Sequence, residues 1–168
     1  MTVGRINPWL SLGLPMLACA GLQLLFAIPI RIVGLAPPEP IFALVPAFAW
    51  AAAGPSLAAP FAVLTLGVFL DLLLGGPLGL WPASLMAAHV LASFGRAFFA
   101  GQGILTHLAW YGGACAVAFA AAFILSDMEA GAAPSLLAVA AQSLATVALF
   151  PIALALTRRY EAADAGFR

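Results

Sequence analysis

The sequence predicts an all-α, polytopic membrane protein: a single domain over residues 1–168 with about six transmembrane helices and a broken segment near residues 75–81. Three observations lead there. The chain is 65% hydrophobic and only 7% charged, against about 25% charged residues in an ordinary soluble domain. So few charges would not cover a water-facing surface of this size, whereas lipid demands no such cover. The apolar residues also fall into runs of near-membrane length, punctuated by Gly and Pro clusters. Finally, the arginines gather on one side of the resulting topology.

A span needs roughly 20 mostly apolar residues. Residues 9–33 form the first, closed by Arg31 and the Pro37-Pro38-Glu39-Pro40 cluster. Residues 40–54 form a short second one, with Pro46 inside and Gly54-Pro55 behind it; its length also suits a re-entrant hairpin. Residues 56–74 are the third, ending at Gly75-Gly76-Pro77. Residues 82–100 are the fourth, with Arg96 in the last turns. Residues 104–125 are the fifth, stopped by Ser126-Asp127-Met128-Glu129. Residues 134–157 are the sixth, stopped by Arg158-Arg159 ahead of a polar, fraying tail.

Charge supports this count. With both termini cytoplasmic, the inside receives Arg5, Arg96, Arg158, Arg159 and Arg168, and the outside only Arg31 beside Glu39, Asp127 and Glu129. This is the positive-inside bias. Five spans would put Arg158-Arg159 on the face opposite Arg5. Met16-Leu17-Ala18-Cys19 loosely imitates a lipoprotein signal, but the sequence stays apolar to Ile30 and offers no cleavage site. Cys19 and Cys115 lie in apolar runs and read as small packing residues rather than a disulfide pair. Zero net charge gives no cause to expect a nucleic-acid partner.

Helices in lipid are held by close packing and a few polar contacts. Gly112, Ala116 and Ala120 make one small-residue stripe on the fifth segment, and Ala114, Ala118 and Ala122 another. Trp9, Trp50, Trp81 and Trp110 near segment ends suit the membrane interface. Chemistry is sparse. His89 and His107 have no acidic or Cys neighbours at metal-ligand spacing, and no serine sits in a G-x-S-x-G setting. No catalytic residue, metal or cofactor is expected, and His89 reads as a hydrogen-bonding group within the bundle.

Asp71 is the exception. An aspartate at a helix centre costs about 2.5–3.5 kcal/mol on the insertion scale. Asp71 stands about one turn from its segment's end, where the cost is smaller but the helix C-terminal dipole opposes a carboxylate. Two arrangements would relieve it, a contact with Arg31 at the outer mouth or backbone N–H groups of the broken Gly75-to-Trp81 stretch; otherwise Asp71 snorkels to water at an ordinary helix end. Irregular backbone at membrane depth survives only where protein or water satisfies it. The break therefore argues for a protein-lined pocket.

Gly67, Asp71, Leu72, Leu73, Gly75, Pro77, Leu78 and Gly79 spell G-x-x-x-D-L-L-x-G-x-P-L-G. This pattern resembles the central motif of the rod shape-determining MreD family, and Pro38-Glu39-Pro40 running to Trp50 resembles the family's second helix. The specific likeness covers residues 38–91; the flanks agree only in hydropathy. Trp81 stands where many members carry a histidine. The resemblance implies a non-enzymatic scaffold of the bacterial inner membrane, in the cell-elongation machinery that builds peptidoglycan. It implies as partners an MreC-like membrane-anchored protein and, through it, the MreB filament, RodA and the elongation transpeptidase. It carries Asp71, Gly75, Pro77 and Gly79 over as structural or partner-contacting positions. The alternative is the substrate-binding membrane subunit of a vitamin or metal transporter, for which Gln23, Asp71, His89 and Gln142 would have to line the pocket.

Overall fold

The computed structural model describes residues 12–27, 38–54, 56–99, 101–130 and 135–165. Among them the chain is all-helical, with α1 (Leu14–Phe26), α2 (Leu44–Ala53), α3 (Ala58–Leu74), α4 (Leu80–Phe99), α5 (Ile104–Ala130), α6 (Leu136–Val147) and α7 (Phe150–Ala165). Proline marks where five of these start. Pro15, Pro46, Pro60, Pro82 and Pro151 each lie in the first turn of their helix, where a missing N–H costs nothing.

Three segment ends differ from expectation. α5 runs through Ser126, Asp127 and Met128 to Ala130, because polarity alone does not break a helix and no Gly or Pro intervenes before Gly131. Residues 134–157 form two helices rather than one, bent by 43°. Pro151 has no N–H for the Val147 carbonyl, and the chain turns at Ala148-Leu149 instead. α7 then continues past Arg158-Arg159 to Ala165, so the tail is helical through that point.

The middle of the molecule is α2. Every residue from Ile41 to Ala52 is buried, enclosed chiefly by α4 and α7 with α3 and α5 beside them. Its 10 residues extend only about 15 Å, roughly half the hydrocarbon thickness. Around it α4 packs most extensively on α5, then on α3. On α3 the buried residues Ala59, Ala62, Val63, Leu66, Gly67, Leu70 and Asp71 form one stripe at helical spacing. The buried stripe of α5 contains Ala114, Ala118 and Ala122; Ala116 and Ala120 face outward.

Among the described residues, Ile104–Met128 is the one helix long and apolar enough to cross a membrane by itself, and the bent α6–α7 pair passes the same test taken together. α1, α2 and α3 are shorter apolar helices. The tryptophans correct an expectation. Trp81 is buried edge-on against Phe119, with centroids 6.0 Å apart, and Trp50 is buried with its indole N–H donating to the Tyr160 hydroxyl at 3.1 Å. Both bury their ring area in the core, and the Trp50 indole N–H is satisfied there. Trp110, half-buried, stacks on Phe98; Trp9 lies outside the described residues.

Candidate functional site

The helical hairpin of α3 and α4 is built around three features one turn apart. At Gly67 the helices touch: a Cβ there would fall 2.5 Å from the Pro82 nitrogen and closer still to its Cα. Only glycine permits that approach. One turn further, Asp71 turns into the gap and is 1% exposed. One turn beyond that, α3 ends at Gly75 in the left-handed conformation, φ +66°, the usual helix-ending geometry. Pro77 follows, and its carbonyl accepts from Leu80 N–H at 3.3 Å. Gly79, at φ +103°, turns the chain into α4.

The Asp71 carboxylate joins the two helices. Its Oδ2 accepts from Gly79 N–H at 2.6 Å and its Oδ1 from Trp81 N–H at 2.9 Å. Gly79 immediately precedes α4 and Trp81 lies in its first turn, where N–H groups would otherwise be left without partners. A side chain from the preceding helix thus does the work of an N-cap. The electrostatics reverse as well. The C-terminus of α3 repels the carboxylate, but the N-terminus of α4 points at it and attracts it. Hydrogen bonds to a charged group are worth about 1.5–3 kcal/mol each, so two outweigh the insertion cost of one aspartate near a helix end. Of the two arrangements that the sequence left open, this is capping by backbone N–H groups. Arg31 lies outside the described residues.

Beside this hairpin is a cavity of about 210 Å³ whose walls include Pro77, Trp81, Phe119, Phe123, Ser126 and Gln142. It is largely apolar. Leu72 and Leu78 project outward from the hairpin tip. The structure therefore brings Asp71, Gly75, Pro77 and Gly79 together at one end of the bundle and places a concave surface next to them.

A second polar set, less legible in the sequence, surrounds α2. Ile41 N–H donates to Thr146 Oγ1 at 3.0 Å and Phe42 N–H to Gln23 Oε1 at 3.1 Å. The Thr146 hydroxyl donates in turn to the Gln142 carbonyl at 2.8 Å. Tyr111 OH donates to the Thr146 carbonyl at 3.1 Å. His89 Nδ1 lies 2.8 Å from the Ala47 carbonyl oxygen; a carbonyl only accepts, so this nitrogen carries the proton. Each buried polar side chain here serves the backbone of another helix. Gln23 Nε2 has no partner among the described residues. The one available signal for Thr146 and Gln23 was their polarity within apolar runs.

Among the described residues no three His, Cys, Asp or Glu side chains converge as a metal site. Cys19 and Cys115 are free and buried. No family model, curated protein or solved structure matches the chain.

Proposed function

We propose that this chain is a multi-pass scaffold of the bacterial inner membrane, of the MreD kind, that docks an MreC-like membrane-anchored partner at the α3–α4 end of the bundle. The observation carrying this reading is the Asp71 clasp. Apart from its leucines, each position of the G-x-x-x-D-L-L-x-G-x-P-L-G pattern has a distinct mechanical task in one hairpin: contact at Gly67, capping at Asp71, termination at Gly75, and the turn through Pro77 and Gly79. A pattern so fully used for shape leaves no group over for catalysis at this end, which favours a docking role.

The membrane part of the reading is supported by the outward surface. Leu57, Phe61, Leu72, Phe94, Leu105 and Leu137 are each at least 70% exposed, on helices whose inner faces are also apolar. Large apolar side chains left this exposed on helix after helix suit a lipid environment, which asks for no polar cover. MreB, RodA and the elongation transpeptidase would be reached through the partner. The transporter alternative needs a pocket with several convergent polar groups, and the hairpin cavity has few.

The test is purification of the tagged chain from membranes of its host in mild detergent, with the wild type and Asp71→Ala compared. The reading expects an MreC-like protein with the wild type and its loss with Asp71→Ala. Depleting the chain should turn rods into spheres. A rod-shaped depleted strain, or a purified chain carrying no such partner, would overturn it.

A further inference from the structure

The opposite end of the bundle carries a second cleft, about 440 Å³ in volume, between the α2–α3 junction and the last turns of α4. His89, Ser93 and Arg96 occupy one face of α4 at i, i+4 and i+7 and all line it. Two of them present unused polar groups. Arg96, half-buried, has no carboxylate or hydrogen-bond partner among the described residues. His89 is 6% exposed. Its Nδ1–H is committed to Ala47, which leaves Nε2 as the ring's open nitrogen in a side chain that lines the cleft. The Ser93 hydroxyl is occupied, donating to the His89 carbonyl at 2.8 Å. The rim is apolar: Leu57 and Phe94 are 92% and 77% exposed on either side.

We infer that this cleft binds the phosphate–polyol headgroup of an anionic lipid. The guanidinium of Arg96 takes the phosphate, for which its planar fork of donors is suited. A headgroup hydroxyl hydrogen-bonds His89 Nε2. The acyl chains leave over Leu57 and Phe94 into the bilayer. The apolar rim selects a lipid-borne headgroup over the same group free in water, and the open ring nitrogen at the floor selects a hydroxylated headgroup over other anionic lipids. An arginine that merely anchors a helix end at the interface would use neither the cleft nor the histidine.

The inference rests on the membrane reading above, and the experiment separates the two. Native mass spectrometry of the full chain in detergent, offered equal amounts of phosphatidylglycerol, phosphatidylmethanol and phosphatidylcholine, reads retained lipid directly. Phosphatidylglycerol should be retained above both others. Arg96→Gln should lower its retention about tenfold, as expected for one lost charge-assisted contact, and Arg96→Lys should recover part of it. Soluble glycerol phosphate should not compete. Equal retention of the three lipids, an unaffected Arg96→Gln variant, or displacement by glycerol phosphate each overturns the inference. Carbonate extraction of the host membranes is read in parallel. A chain that stays in the membrane without preferring phosphatidylglycerol defeats the lipid site alone, whereas a chain released by carbonate defeats both.

Discussion

Asp71 illustrates how a residue disfavoured by its own helix becomes necessary to the next one. Removing it leaves the buried Trp81 N–H without an acceptor, at a cost of about 1–3 kcal/mol, and takes a charge-assisted bond from the part-buried Gly79 N–H. Asp71→Ala should therefore destabilise the protein by about 2–5 kcal/mol, measured as unfolding in detergent. Asp71→Asn keeps one acceptor but turns an NH2 toward the other N–H, so it should fall between. Gly67→Ala should be harmful for a different reason: its methyl meets Pro82 backbone, which cannot move like a flexible side chain. A cost of about 1–3 kcal/mol is expected from overpacking, and Gly67→Ala should fold worse than Gly13→Ala, where nothing lies within 4 Å. At this scale much of the site was legible. A lone carboxylate beside a Gly-Pro break demanded compensation, and backbone donors were one of two sources. The donors' identity was not legible, because it depends on how Gly79 turns the chain. The burial of Trp81 was also missed, since an aromatic near a segment end fits a core and an interface equally well.

The helices show where hydropathy alone loses resolution. Runs of apolar residues gave the approximate placement of every element, yet a run does not distinguish a straight helix from a bent pair. Pro151 sat within residues 134–157 as a visible signal, and its missing N–H divides them into α6 and α7. For α5 the error was the reverse, since a polar stretch without Gly or Pro remained helical. α2 is short and buried, and the N–H groups of Ile41 and Phe42 in the turn that leads into it are taken by Thr146 of α6 and Gln23 of α1. Periodicity carries no information about such long-range caps. Thr146→Val keeps the shape but deprives Ile41 N–H of its acceptor, so it should cost about 1–3 kcal/mol. Gln23→Leu should do likewise at Phe42. The Thr146→Val loss should be accompanied by faster amide hydrogen exchange at Ile41, with Gly79 and Trp81 unaffected.

Across the whole molecule, apolar residues both fill the core and cover the outside, and the few polar side chains inside are spent on backbone groups, some across to another segment (Gln23, Asp71, His89, Thr146) and some back to their own helix (Ser84, Thr157). The two ends of the bundle differ. The α3–α4 end is closed by the Asp71 clasp beside an apolar cavity, while the other end holds the cleft lined by His89 and by Arg96, which has no partner among the described residues. If the chain sits in the bilayer as proposed, a cysteine placed at Leu78 should react with an impermeant thiol reagent from outside intact spheroplasts, and one placed at Gln102 only after lysis. The central claim is that one carboxylate ties the end of α3 to the start of α4, and amide exchange tests it most directly. Measured on the detergent-solubilised protein, the Gly79 and Trp81 amides should exchange slowly in the wild type and rapidly in Asp71→Ala, while Leu85 stays protected in both. Fast exchange of those two amides in the wild type, or no change on removing the carboxylate, would contradict the account.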